Sequence, residues 1–217
     1  MLLRFLQRAW SHFAPLRMAA AQGRSGELVV RWERGRLVLN SAHANQSFGS
    51  LHRVWQEVLR ARLAAEGQPQ SVLLLGLGGG SVPRILRREL GCAAPITAVE
   101  IDAAMIHLAR AHFGLDAVTG LTVVEGDAIV HVHAIAQRFH WVLVDLFDDL
   151  DLARGTDTLG FALALRDRCA GTLCFNTVGY DTASERRCQR VKEHLLRVFG
   201  TVDEMRLEDV NRVFIAR

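Results

Sequence analysis

The sequence predicts a doubly wound α/β unit, and three observations carry that prediction. From residue 72 onward, short apolar runs alternate with helical patterns. The first run, Val72–Leu75, is apolar at every position, as suits a strand covered on both faces of a parallel sheet. It leads directly into Gly76-Leu77-Gly78-Gly79-Gly80-Ser81, and a helical pattern with Val82, Ile85, Leu86 and Leu90 on one face follows. Strand, glycine turn and helix start form a corner where backbone N–H groups and the positive end of the helix dipole meet a ligand.

The N-terminal stretch reads as a small region over residues 1–67. Residues 1–13 have an amphipathic helical pattern, in which Arg4, Arg8 and His12 break up any leader-like apolar core. Two β-like runs, 27–32 and 36–40, flank Glu33-Arg34-Gly35 and predict a hairpin. Residues 48–65 place Leu51, Val54, Trp55, Val58, Leu59 and Leu63 on one helical face, and Gly67-Gln68-Pro69 stops that helix.

The α/β domain then spans 68–217. Strands are expected at 72–75, 96–101, 121–124, 141–146 and 172–176, with helices at 82–90, 103–113, 128–136, 158–168 and 184–199. Two last runs, 202–207 and 212–216, are placed to pair as a hairpin. Five β/α units closed by a hairpin point to a Rossmann-like, seven-stranded sheet of the class I methyltransferase-like type, preceded by a small helix and β-hairpin region.

Bulk composition narrows the function classes. Half of the 217 residues are hydrophobic, enough for a substantial core, and the net charge of +3 is small. Nearly all cationic charge is arginine, since Lys192 is the sole lysine. The clusters at 60–62 and 84–88 read as solvated helix faces rather than a basic stripe interleaved with aromatics, so no nucleic-acid partner is expected. No apolar run reaches the ~20 residues needed to span a bilayer, so no membrane partner is expected. Cys92, Cys169, Cys174 and Cys188 form no C-x-x-C pair, which argues against zinc and for reduced thiols in a cytoplasmic setting. His131 and His133, two apart in a helical pattern, point away from each other and make a poor metal pair. His43 and His52 fall near the junction with the α/β domain.

Candidate site residues follow from the rule that ligands bind beyond the carboxyl ends of the strands. The spacing Gly76-x-Gly78-x-Gly80 departs from the dinucleotide fingerprint, which needs glycine where Ser81 stands. It is closer to that of enzymes binding S-adenosylmethionine. Glu100, ending the second strand, suits the two hydroxyls of a ribose, whereas Asp102 suits the cap of the next helix. Asp127, after the third strand, suits an adenine amino group and also a helix cap. Asp145 and Asp148, after the fourth, lie where the reacting end of the ligand belongs and suit a cationic amine, either binding it or taking its proton.

These motifs in this order resemble the spermidine synthases, the polyamine aminopropyltransferases, and most of all their divergent bacterial members. The resemblance rests on Gly76 to Ser81, Val99-Glu100-Ile101-Asp102, Gly126-Asp127-Ala128 and Val144-Asp145-Leu146-Phe147-Asp148, with Gln46 beside the N-terminal hairpin. It implies a methyltransferase-like fold and transfer of an aminopropyl group from decarboxylated S-adenosylmethionine to a small amine, without a metal, in a homodimer. It further implies binding of the nucleoside by Gly76, Gly78, Gly79, Gly80, Glu100 and Asp127, with Asp145 acting on the attacking amine and Asp148 nearby. The chain departs from the family at three places. Gly79 stands where the family's loop carries an acid for the aminopropyl amine, Asp148-Asp149 replaces Asp-Pro, and Tyr180 is the only tyrosine. An acid at position 79 would repel the carboxylate of S-adenosylmethionine, so Gly79 leaves either co-substrate open. Two other readings fit the same corner: an S-adenosylmethionine-dependent methyltransferase acting on a small cation, and a non-catalytic nucleoside-binding protein.

Overall fold

The computed structural model describes residues 7, 9–41 and 50–217. Most of the expected N-terminal helix lies outside the described residues, as do His43 and Gln46; Ala9 and Trp10 are helical, and the chain turns at residues 11–13.

Three antiparallel strands come first: β1 (Leu16–Gly23), β2 (Gly26–Glu33) and β3 (Arg36–Asn40), paired in the order β1-β2-β3. The β2–β3 hairpin is the expected one, with Arg34 and Gly35 both at positive φ in its turn. The sequence reading lacked β1. Its Met18-Ala19-Ala20-Ala21 core is alanine-rich, and alanine is depleted in strands, so nothing in its composition separates it from a loop. Leu28, Val30 and Leu39 of this sheet pack on Met105, Leu108 and Phe113, which fixes it over one end of the main sheet.

Helix α1 (Ser50–Glu66) follows. The sequence reading grouped it with the N-terminal region; its apolar face, Val54, Trp55, Val58 and Leu59, is packed in the same core cluster as Val72, Leu74 and Leu143 of the main sheet.

The main sheet contains β4 (Val72–Leu75), β5 (Ile96–Glu100), β6 (Leu121–Glu125), β7 (Phe139–Val144), β10 (Cys169–Val178), β11 (Val202–Leu207) and β12 (Asn211–Ala216). Their order is β11-β12-β10-β7-β4-β5-β6. The five strands from β10 to β6 are parallel, and β12 enters antiparallel between β10 and β11. All four residues of β4, in the centre, are buried, as its uninterrupted apolar run requires. A short hairpin, β8 (Phe147–Asp148) and β9 (Asp151–Leu152), follows β7 and has no counterpart in the sequence reading; strands of two residues leave no periodicity to read.

The helices are α2 (Ser81–Arg84), α3 (Ala103–Phe113), α4 (Ala128–Ala134), α5 (Leu159–Arg168) and α6 (Thr182–Phe199). The single helix expected at 82–90 is in fact α2 widening into a π-helical turn (Ile85–Glu89), closed by Leu90 N–H on the Ile85 carbonyl at 3.0 Å. Arg84 also corrects the expectation of a solvated arginine face. It is buried, donating through Nε to the Gly80 carbonyl at 3.0 Å and through Nη1 to the Phe113 carbonyl at 3.3 Å. Burial lowers its pKa to about 10, which leaves it charged at neutral pH. The group thus ties the glycine turn to the end of α3.

Candidate active site

A cavity of about 640 Å³, a size suited to a small-molecule ligand, opens at the carboxyl ends of β4, β5, β6 and β7. The turn between β1 and β2, with Arg24, Ser25 and Gly26, covers it from the N-terminal sheet.

The glycine turn forms its floor. Gly76 leaves β4 at φ 93, and its N–H bonds the Val99 carbonyl at 3.0 Å. A Cβ at Gly76 would run into the Asp145 carbonyl oxygen, so only glycine passes between the ends of β5 and β7. Gly76 and Gly78 line the cavity; Gly79 and Gly80 do not. Both of the latter are buried in the turn, and a Cβ on Gly80 would lie 2.8 Å from Leu115 Cδ1.

Glu100 ends β5 and lines the cavity. Its Oε2 accepts hydrogen bonds from Leu77 N (3.1 Å) and Gly78 N (2.9 Å), and its Oε1 from Asp102 N (3.1 Å). Burial raises its pKa above the ordinary carboxylate range; these three N–H groups work against that rise, and the Asp102 charge adds to it. A carboxylate offers about four acceptor positions, so a ribose bound through two hydroxyls must displace one backbone N–H. The same contacts make Glu100 a brace for the glycine turn, which strand-end position alone does not reveal.

Asp102 caps α3, with Oδ1 accepting from Ala104 N (2.9 Å) and Met105 N (3.3 Å). Its Oδ2 accepts from Arg24 N at 2.7 Å, fastening the β1–β2 turn to the main sheet. Asp127 lines the cavity and caps α4, with Oδ1 accepting from Ile129 N (2.8 Å) and Val130 N (3.3 Å).

Asp145 follows β7, where its N–H bonds the Leu75 carbonyl at 2.8 Å. The residue lines the cavity, and its Oδ1 accepts from Asn176 Nδ2 at 2.9 Å. Burial raises its pKa to about 6; the Asn176 amide and the Trp55 indole N–H oppose the rise, and the Glu100 charge adds to it. Trp55 Nε1 is itself buried without a full hydrogen bond, so it acts on Asp145 as a nearby dipole.

Asp148 and Asp149 stand at the mouth. Asp148 Oδ1 accepts from Ser25 Oγ at 2.6 Å, and Asp149 Oδ1 from Ser41 Oγ at 2.9 Å. The acidic loop is therefore bound to the N-terminal sheet on one side. On the other, Arg187 of α6 donates to the carbonyls of Leu152 (2.6 Å) and Ala153 (3.2 Å). Tyr180 does not line the cavity; its hydroxyl donates to Asp151 Oδ1 at 2.7 Å. His52 pairs with Glu89 at 3.0 Å and does not line the cavity either. Burial is the main cause of its lowered pKa. His131 and His133 lie on α4, and among the described residues no group of three or more His, Cys, Asp or Glu is arranged to hold a metal ion. All four cysteines are buried and free. No helix among the described residues is long and apolar enough to cross a membrane.

The site residues expected from sequence thus divide. Gly76, Gly78, Glu100, Asp127, Asp145 and Asp148 line one cavity, while Gly79 and Gly80 shape the turn beneath it. Sequence reasoning missed Arg24, Ser25 and Arg154, which line the same cavity, and the buried Asn176. Arg24 and Ser25 come from a strand pair it did not recognise. Asn176 had a usable signal, being polar directly after Leu173-Cys174-Phe175 in a run that must be buried.

No family model matches the sequence. The chain is 32% identical over 139 residues to the polyamine aminopropyltransferase of Chromobacterium violaceum, a match covering 63% of this chain and 52% of that protein. It is 34% identical over 110 residues to the eEF1A lysine and N-terminal methyltransferase of Danio rerio, covering 46% of this chain and 16% of that one. The match thus spans about half the length of the first relative and far less of the second. A probable spermidine synthase from Corynebacterium glutamicum superposes with a TM-score of 0.78 over 91% of this chain and 79% of its own, at 14% identity, a likeness of fold. In that strand order and that aminopropyltransferase-like stretch, the chain is spermidine synthase-like, a divergent relative on a class I methyltransferase-like fold.

Proposed function

We propose that the protein is a transferase that moves an aminopropyl group from decarboxylated S-adenosylmethionine to a small amine, as in polyamine synthesis. The observation that carries this reading is Asp145, an acid at the end of β7 whose pKa of about 6 suits proton transfer near neutrality. In the proposed reaction the amine nitrogen attacks the carbon next to the sulfonium and forms the new C–N bond. The C–S bond breaks, its electron pair stays on sulfur, and neutral methylthioadenosine leaves. The proton shed by the nitrogen passes to Asp145. Sulfonium is a good leaving group, so the site needs mainly to orient the amine, accept its proton and exclude water. Glu100 takes the ribose and Asp127 the adenine, while Asp148 at the mouth attracts the cationic amine. A homodimer belongs to the same reading.

The test is product analysis of the purified chain given decarboxylated S-adenosylmethionine with a panel of diamines and, separately, S-adenosylmethionine. Methylthioadenosine formed only with amine present is the expected result. S-Adenosylhomocysteine in its place would replace this reading with methyl transfer. Tight methylthioadenosine binding without turnover would leave a nucleoside-binding protein.

Two observations favour methyl transfer as the second reading. Gly79 carries no acid, and Arg24 and Arg154 stand among the acids that line the cavity, so a carboxylate on the co-substrate has two cationic side chains within the same cavity. Gly79 is not held at positive φ, so an Asp there needs no strained backbone. Gly79→Asp is expected to shift the ratio of affinities toward the decarboxylated co-substrate by about fivefold or more, read by parallel calorimetric titrations. An unchanged ratio would end the argument that position 79 selects between them.

A further inference from the structure

Behind Asp145 lies a buried polar chain that neither the strand-end rule nor the proposed reaction accounts for. Asn176 is fully buried in β10, and its Nδ2 donates to Asp145 Oδ1 at 2.9 Å. Its own Oδ1 accepts from Asn211 Nδ2, in the neighbouring strand β12, at 3.1 Å. Asn211 is buried as well. Two asparagines in the core of a sheet are costly unless paired, and this pairing has a direction.

A lone asparagine beside a carboxyl has two orientations. With NH2 toward the carboxyl it favours the ionised acid. Flipped, its carbonyl accepts a proton from the neutral acid. Asn211 disfavours the second choice, because a flipped Asn176 would set its NH2 against the Asn211 NH2 unless both amides turned together. We propose that Asn176, held in one orientation by Asn211, is a positioning residue that fixes Asp145 as an acceptor at Oδ1 and confines its exchangeable proton to Oδ2. The other groups facing this carboxyl are the Trp55 indole N–H of α1, which favours its charge, and the Glu100 carboxylate of β5, which opposes it. Neither bears on Oδ1 through a lockable amide. With Oδ1 occupied, the atom that takes the proton of an incoming amine is always the same one, so base and nucleophile meet in one geometry.

The inference rests on the proposed reaction only for what Asp145 does with its proton; the positioning itself is testable without substrate. The measurement is a ¹³C-carboxyl NMR titration of the ligand-free full chain, with Asp145→Asn identifying the resonance. Asn176→Leu is expected to raise the Asp145 midpoint by about one unit or more, the effect of losing a hydrogen bond to the charged form. Asn211→Ser is expected to raise it by about half a unit, since Asn176 regains its flip. The double variant should move no further than Asn176→Leu alone. An unmoved midpoint in Asn176→Leu, an unmoved midpoint in Asn211→Ser, or additive shifts would each overturn the proposal. If Asn176→Leu gives no dispersed spectrum, Asn211→Ser, which leaves Asn176 in place, decides alone. Absence of methylthioadenosine in the product assay would sink the aminopropyl-transfer reading and leave this titration readable.

Discussion

Replacing Asp145 with Asn is expected to cut turnover by roughly 10²–10⁴-fold while leaving nucleoside binding close to wild type. The substitution keeps the shape and still accepts the Asn176 Nδ2 bond at Oδ1, but it cannot take a proton. The pH dependence supplies a sharper check. Burial holds the acid's pKa at about 6, so the base form prevails above that pH and the wild-type rate should climb through it. The limb centred near pH 6 should vanish from the profile of Asp145→Asn. Stability moves the other way. The folded pKa lies above the ordinary carboxylate value, so between the two the native chain holds more protons than the unfolded one, and stability falls as pH rises through that window. Asp145→Asn should therefore be at least as stable as wild type at neutral pH, measured by urea denaturation. A variant both slow and unstable would mean that the rate loss reflects damage to the fold.

Gly76→Ala is expected to destabilise the chain by roughly 2–6 kcal/mol and to abolish ligand binding. Two costs combine at this position. The backbone sits at φ 93, which side-chain-bearing residues rarely adopt, and the added Cβ would strike the Asp145 carbonyl, part of the backbone of a neighbouring strand end. Relief requires a backbone shift at two strand ends that are already tied down, Asp145 by its N–H on the Leu75 carbonyl and Gly76 by its N–H on the Val99 carbonyl. Gly126 provides the control. It lies one residue before Asp127, is not at positive φ, and a Cβ there meets nothing within 4 Å. Gly126→Ala should stay within about 0.5 kcal/mol of wild type. Equal losses in the two variants would refute the steric account of the turn.

The fold was legible wherever pattern and chemistry coincided. The buried run at Val72–Leu75, the glycines after it and the regular alternation that follows can be met by few architectures, and the seven-stranded sheet with its terminal hairpin is among them. Six acids and glycines of the cavity were legible for the same reason, since each closes or follows a predicted strand. What escaped was of two kinds. Elements with weak local signal, such as the alanine-rich β1 and the two-residue strands β8 and β9, left no period to read. Contacts between distant segments were also hidden. That Ser25 would meet Asp148, Arg24 meet Asp102, or Glu100 turn back onto Leu77 and Gly78 follows from how the sheets pack, which no single stretch encodes. Arg84 shows the same limit in reverse: its position in a charged cluster suggested solvent, and packing against Phe113 made it internal.

The position of β12 bears on the order in which the molecule can be built. It is the last strand of the chain, yet it lies inside the sheet between β11 and β10, and it brings Asn211 to Asn176. The cover over the cavity comes from the opposite end, with Ser25 and Asp148 separated by 123 positions. A chain emerging from the ribosome can close its glycine turn early, from neighbouring segments, but must wait for residues 211–216, far beyond Asp145 in the sequence, before the polar support behind that acid exists. Until β12 has been made, β10 has an open flank of unpaired backbone groups, a vulnerable edge for a nascent protein.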